Sequence, residues 1–321
     1  MKNEYGLQDS IRIQRPFLPE DAGPSWQSRF LVRLLRLLPA RKMLASPARV
    51  QERVRKLALK PASYQPTGLG PNIDLQLRSV LGWPVYQTTP AGHPDVVNHV
   101  VFLHGGGYIN EIVRAHWRFI GYMTREARVR CFVPIYPLAP GATAKNVVPL
   151  MGDLLAKILE ETRGGTLTIV GNSAGAGLAL AAAQWLRDCG YGQPGGLVLI
   201  SPGINALINR PEQLLIAADD PVQAIAGIVE TARLYAGDLD VAHPYVSPLN
   251  GDMHRLAPMT IFSGTFDLLY PDSVALAAKA RAAGVPVTLH LRKGQPHNYP
   301  VLPTPEGRQA RSLILRAITR G

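Results

Sequence analysis

A serine between glycines is the best-placed nucleophile in this chain. Gly171-Asn172-Ser173-Ala174-Gly175 follows a β-rich run, Thr166–Val170, and precedes small residues at helical spacing. A sharp strand-to-helix turn of this kind lifts the Ser173 hydroxyl out of the sheet edge, and the flanking glycines permit the tight backbone. The helix start sets the Ala174 N–H beside the hydroxyl. A second cluster, His104-Gly105-Gly106-Gly107-Tyr108, directly follows the run His99–Leu103. Three consecutive glycines cost conformational entropy, and what they provide is backbone N–H groups converging on one point. Such donors can stabilise an oxyanion. A phosphate-binding loop would need G-x-G-x-x-G or a GK[ST] ending, and neither is present.

A serine nucleophile also needs a base and a group that orients the base. Of the eight histidines, His297 stands in a loop, Gly294-Gln295-Pro296-His297-Asn298, after the run Val287–Leu291 and before the last helical pattern. That loop is expected at the same sheet edge as Ser173. The carboxylate follows the run Met259–Ser263, in Gly264-Thr265-Phe266-Asp267. Asp267 is assigned as the orienting group. Asp272, beside Pro271 and Ser273, is the lesser option, since a helix N-cap role suits it better.

These residues require a sheet that delivers several strand ends to one edge. From about residue 73, short β-branched-rich runs alternate with helical patterns, as in strands covered on both faces of a parallel sheet. The strand candidates are Ile73–Ser79, Trp83–Thr88, His99–Leu103, Cys131–Tyr136, Thr166–Val170, Leu197–Ser201, Met259–Ser263 and Val287–Leu291. The helix candidates are His116–Ala127, Asn146–Glu161, Ala174–Asp188, Pro221–Tyr235, Asp272–Ala283 and Pro305–Thr319. The alternation predicts an α/β class domain: a doubly wound, mostly parallel sheet of about eight strands with an antiparallel start. Before it, Trp26–Leu38 sets Leu31, Leu34, Leu35 and Leu38 on one face, opposite Arg29, Arg33 and Arg36. Ser46-Pro47 opens a further helix that Pro61 closes.

The chain has 321 residues and a formal net charge of +11. Residues 29–60 hold ten basic side chains and one acid, Glu52, which leaves the remainder close to neutral. A basic body made for nucleic acid is therefore not expected. The polar start MKNEYGLQDS shows no secretory h-region, and no apolar run reaches the roughly 18 residues of a membrane span. Two cysteines, Cys131 and Cys189, are too few for a disulfide framework. A cytoplasmic location is the expectation.

With these motifs in place, the sequence resembles the α/β-hydrolase superfamily, in its hormone-sensitive-lipase-like branch of bacterial esterases. The resemblance rests on HGGGY at 104–108, YPLAP at 136–140, GNSAG at 171–175, SPLNGD at 247–252, SGTFDLLYPDS at 263–273 and GQPHNY at 294–299. It implies the α/β-hydrolase fold over residues 66–321, and a helical cap over residues 1–65 with a second cap piece at 205–235. It implies a carboxylic-ester hydrolase with no metal and no cofactor. Ser173 would be nucleophile, His297 base and then acid, and Asp267 its partner. Gly105, Gly106 and Ala174 would supply the oxyanion N–H groups. Tyr108, Trp117 and the cap would shape the acyl pocket for a small-molecule ester or lactone. The position before the serine, commonly acidic in this branch, is Asn172. A non-catalytic binding protein on the same scaffold is the alternative. For the basic segment 29–60, a solvated cap is favoured over peripheral contact with a membrane surface.

Overall fold

The structure, a computed structural model, describes residues 23–37 and 40–319. The cap expectation for residues 1–22, the absence of an h-region there and the place of Leu38 on its helix face lie outside the described residues.

Three helices come first: α1 (Trp26–Leu37), the four-residue α2 (Ala40–Met43) and α3 (Pro47–Ala58). The Ser46 hydroxyl accepts from the Arg49 N–H and Pro47 takes the first turn, so the sequence signal for the start of α3 holds. Strands β1 (Ile73–Val80), β2 (Trp83–Pro90) and β3 (Asn98–Leu103) lead into α4 (Arg114–Glu126), β4 (Arg130–Pro134), α5 (Ala144–Glu161), β5 (Thr166–Asn172), α6 (Ala174–Asp188) and β6 (Gly196–Ile200). After α7 (Pro211–Ile216) and α8 (Ile225–Ala236) come β7 (Met259–Phe266), α9 (Tyr270–Ala282), β8 (Val287–Pro296) and α10 (Pro305–Thr319).

The eight strands form one sheet in the order β1-β2-β4-β3-β5-β6-β7-β8. β1–β2 and β2–β4 are antiparallel, and all other pairs are parallel. Two apolar layers cover its faces. One includes Val101, Leu103 and Ile169 with Met151, Leu155 and Leu180 of α5 and α6. The other includes Val100, Phe102 and Val170 with Phe119, Ile120 and Ile314 of α4 and α10. Burial on both faces explains why β3, β5 and β6 read as unbroken apolar runs.

Strand register brings the chemistry-bearing loops together. Leu103 is paired with Gly171, so the glycine loop after β3 abuts the turn after β5. Phe266 is paired with Pro296, which sets Asp267 beside His297.

Two expectations change. The helix expected over Pro221–Tyr235 is α8, which starts four residues later, after a turn in which Asp220 accepts from the Val222 and Gln223 N–H groups, and α7 is a helix not expected from the sequence. On α1 the buried residues are Ser28 and Val32, whereas Leu34 is exposed, so the helix is rotated from the expected leucine face. The rotation follows from polar anchoring. Glu306 at the start of α10 accepts from the Ser25 N–H and from both the Ser25 and Ser28 hydroxyls, at 2.6–3.0 Å.

Candidate active site

Ser173 occupies the turn between β5 and α6 with φ 54° and ψ −122°. A positive φ on a residue bearing a side chain is strained, and strain of this kind collects at reactive positions. The neighbours make the turn possible. A Cβ at Gly171 would meet the Gly175 carbonyl oxygen at 2.5 Å, and one at Gly175 would meet the His104 oxygen at 2.5 Å. Glycine is needed at both places because backbone passes there.

Ser173 Oγ lies 3.0 Å from His297 Nε2, and His297 Nδ1 lies 3.0 Å from Asp267 Oδ2. Asp267 is fully buried, and its Oδ1 accepts from the Leu269 N–H. Burial works against its ionisation, but His297 and its hydrogen bonds hold the carboxyl below the usual carboxylate range. Burial likewise opposes charge on His297, yet Asp267 and then Asp220 raise its pKa above the ordinary 6.5. An imidazole so placed can accept the serine proton and hold it beside a negative group.

Asp272 is not part of this chain of contacts. It receives Arg210 at 2.7 Å, Asn205 at 3.1 Å and Gln213 at 2.9 Å, and so ties α9 to the α7 region. It does not cap the helix either, because Leu269 holds the N-cap position.

The glycine loop departs from expectation at one residue. The Gly105 N–H donates to Asn172 Oδ1 at 2.9 Å, so it is already occupied. The N–H groups of Gly106, Gly107 and Ala174 make no hydrogen bond among the described residues, and all three residues line the cavity above Ser173. Gly106 and Gly107 have φ of 133° and 61°, which glycine adopts without penalty. Gly105 thus anchors the loop, and the open donors are Gly106, Gly107 and Ala174. Asn172 provides the acceptor for that anchor without a net charge. Its other amide atom lies 3.4 Å from His116 Nε2. Burial drives His116 and His104 down to about 3 and about 4, so this surrounding is uncharged.

The cavity has a volume of about 580 Å³. Apolar side chains of the first helices, Met43, Leu44 and Leu57, form one wall, and Ile228 and Ala232 of α8 form another. Tyr108 lies in the wall, stacked on Tyr235 with ring centroids 3.7 Å apart. Trp117 does not line the cavity. It is buried in the layer under α4, edge-on to Tyr86, so its expected pocket role is withdrawn. His116 reaches the cavity instead, one residue round the helix.

Two residues of the turn before α8 were not foreseen. The Gln223 amide lies 2.6 Å from His297 Nδ1 and 3.4 Å from Asp267 Oδ1. Asp220, fully buried, accepts from the Leu268 N–H and holds the Gln223 turn. Burial and then the Asp267 charge push its carboxyl up to about 6. In sequence Pro221 reads as the start of a helix, and the approach of Asp220 to the Asp267 loop is tertiary.

No group of three or more metal-ligating side chains occurs among the described residues. Cys131 is buried and Cys189 exposed, and both are free thiols.

A model of the alpha/beta hydrolase fold matches residues 100–301. A triacylglycerol lipase of Mycobacterium tuberculosis is 34% identical over 227 residues, which are 70% of this chain and 47% of the lipase. The chain therefore spans about half of that relative's length. An acetyl-hydrolase of Streptomyces hygroscopicus is 32% identical over 216 residues, 66% of this chain and 72% of that protein. Among solved structures, an esterase from the bacterial hormone-sensitive lipase family superposes with a TM-score of 0.73 at 28% identity, covering 85% of this chain and 97% of the esterase.

Proposed function

Because this chain belongs to the α/β-hydrolase fold family, we propose that it is a serine carboxylic-ester hydrolase acting through Ser173, His297 and Asp267. The observation that carries the reading is one connected contact path. Ser173 Oγ meets His297 Nε2, and His297 Nδ1 meets Asp267, beneath a cavity edged by three open N–H donors. The relatives' names, lipase, acetyl-hydrolase and esterase, support ester cleavage.

The reaction runs in two acyl transfers. His297 takes the Ser173 proton as Oγ bonds to the ester carbonyl carbon, and the carbonyl oxygen becomes an oxyanion facing Gly106, Gly107 and Ala174. The C–O bond then breaks, and the alcohol leaves with the proton from His297. Water attacks the acyl-serine with His297 again as base, and the acid leaves while Ser173 regains its proton. Asp267 keeps the imidazole oriented and steadies its positive form. The apolar walls and the cavity volume suit short- to medium-chain acyl esters, and the same steps open a lactone. Helices α1–α3 and the α7–α8 region act as the cap over the site.

A binding protein on this scaffold would need no intact contact path, so the path favours the enzyme. Ser173→Ala should abolish turnover of a chromogenic short-chain ester while circular dichroism and melting temperature stay near wild type. Undiminished turnover in that variant would refute the assignment.

A further inference from the structure

Helix α1 shows a surface that ester hydrolysis does not explain. Its sequence, WQSRFLVRLLRL, contains three arginines and no acid. Ser28 and Val32 face the body, and Ser28 is bonded to Glu306 at 2.7 Å. Trp26 and Phe30 lie two positions from Ser28 and Val32, about 200° round the helix, and so point away from the body. Trp26 is 67% exposed, Phe30 64%, Leu34 43% and Leu37 78%. The spacing of four, four and three residues makes them one outward stripe.

A second exposed apolar pair lies close to the end of α1. Arg36 and Arg41 donate to the carbonyl groups of Asp219, Ala218 and Ala217, which brings the end of α7 to the α1–α2 junction. There Leu214 and Leu215 are 67% and 79% exposed. A contiguous apolar surface rimmed by polar groups marks an interaction site. The charges beside the stripe on α1 are all basic: Arg29 and Arg33 are exposed, and Arg36, also exposed, pairs with Asp219 at 3.8 Å.

We propose that α1 lies in the headgroup layer of an anionic bilayer, with Trp26, Phe30, Leu34 and Leu37 inserted and Arg29 and Arg33 against the lipid charges. Charge complementarity selects this occupant. α1 itself carries no acid, so a second copy laid along it would bring Arg29 and Arg33 against their own counterparts. At 12 residues, about 18 Å, α1 is too short to span the roughly 30 Å apolar core, and no described helix is long and apolar enough to cross. The surface also adjoins the site, since Met43 and Leu44, at the end of α2 and just after it, line the catalytic cavity. The inference does not depend on the esterase reading, because its test reads binding rather than turnover.

The test is co-sedimentation of the full chain with vesicles. Phosphatidylcholine vesicles are compared with vesicles containing one-third phosphatidylglycerol, each at low and high salt. The expected result is binding to the anionic vesicles alone, weakened several-fold or more by salt. The double variant F30S/L37S should lose at least ten-fold in binding, with its melting temperature and circular dichroism unchanged. Arg29→Gln with Arg33→Gln should bind more weakly and with a shallower salt dependence. No binding, equal binding to neutral vesicles, or an unaffected F30S/L37S variant would overturn the proposal. So would a dimer in solution that this variant dissolves.

Discussion

The charges of Asp220 and Asp267 act on His297 together. Both raise the His297 pKa, and the base is competent only when neutral. The acid limb of the kcat/KM profile should therefore fall above pH 6.5. Asp220→Asn removes one of the two charges, so the limb should move to lower pH. A packing role alone would lower kcat/KM at every pH and leave the midpoint in place; measuring the profile against pH separates the two. Asn172 supports the loop rather than the proton transfer. Asn172→Ala leaves the buried Gly105 N–H without its acceptor, a cost of about 1–3 kcal/mol read from chemical denaturation. Turnover should fall with it, because Gly106 and Gly107 follow directly in the chain. That Ser173, His297 and Asp267 come together was legible in sequence because each stands at a strand end, in an order that one sheet edge can gather. Gly105 was misassigned because sequence shows where glycines are, not where their N–H groups point. Trp117 was misassigned because one position round a helix separates a cavity wall from a core, and His116 took the wall.

At the scale of elements, the docking of α1 depends on one buried carboxylate. Burial raises the Glu306 pKa, but the Ser25 N–H and Ser28 hydroxyl outweigh it and leave it below the ordinary 4.5. The contribution of Glu306 to stability is thus present above that ordinary value and fades as pH falls through the lower folded value. Glu306→Ala should leave the sheet folded but free α1, so that limited proteolysis cuts ahead of residue 46 far faster than in wild type. Equal cleavage rates would show that α1 is held by its apolar contacts alone. The parallel strands and most helices were readable because continuous apolar runs and 3.6-residue periods record burial directly. The face of α1 was not, since the contacts that set it are polar and reach across 281 residues from Ser25 to Glu306. That α7 forms and that α8 starts only at Ile225 were hidden for a similar reason. They rest on the Asp220 carboxylate accepting nearby N–H groups, and on Asp272 holding Arg210 and Gln213 from another part of the chain.

For the molecule as a whole, charge and chemistry occupy different parts. The net charge of +11 is concentrated in residues 29–60, while the sheet and its loops form a nearly neutral body with a buried, reactive edge. The parallel register joins the two halves of the chemistry. It places a β3 loop beside a β5 turn, and the end of β7 beside the end of β8. The central claim is that this edge makes Ser173 a nucleophile that forms an acyl-enzyme. A fluorophosphonate, which reacts only with an activated serine, tests it by intact mass and peptide mapping. The account predicts one adduct per chain, on Ser173, lost in Ser173→Ala and slowed at least a hundred-fold in His297→Ala. An adduct on another residue, no adduct at all, or labelling of equal speed without His297 would contradict it.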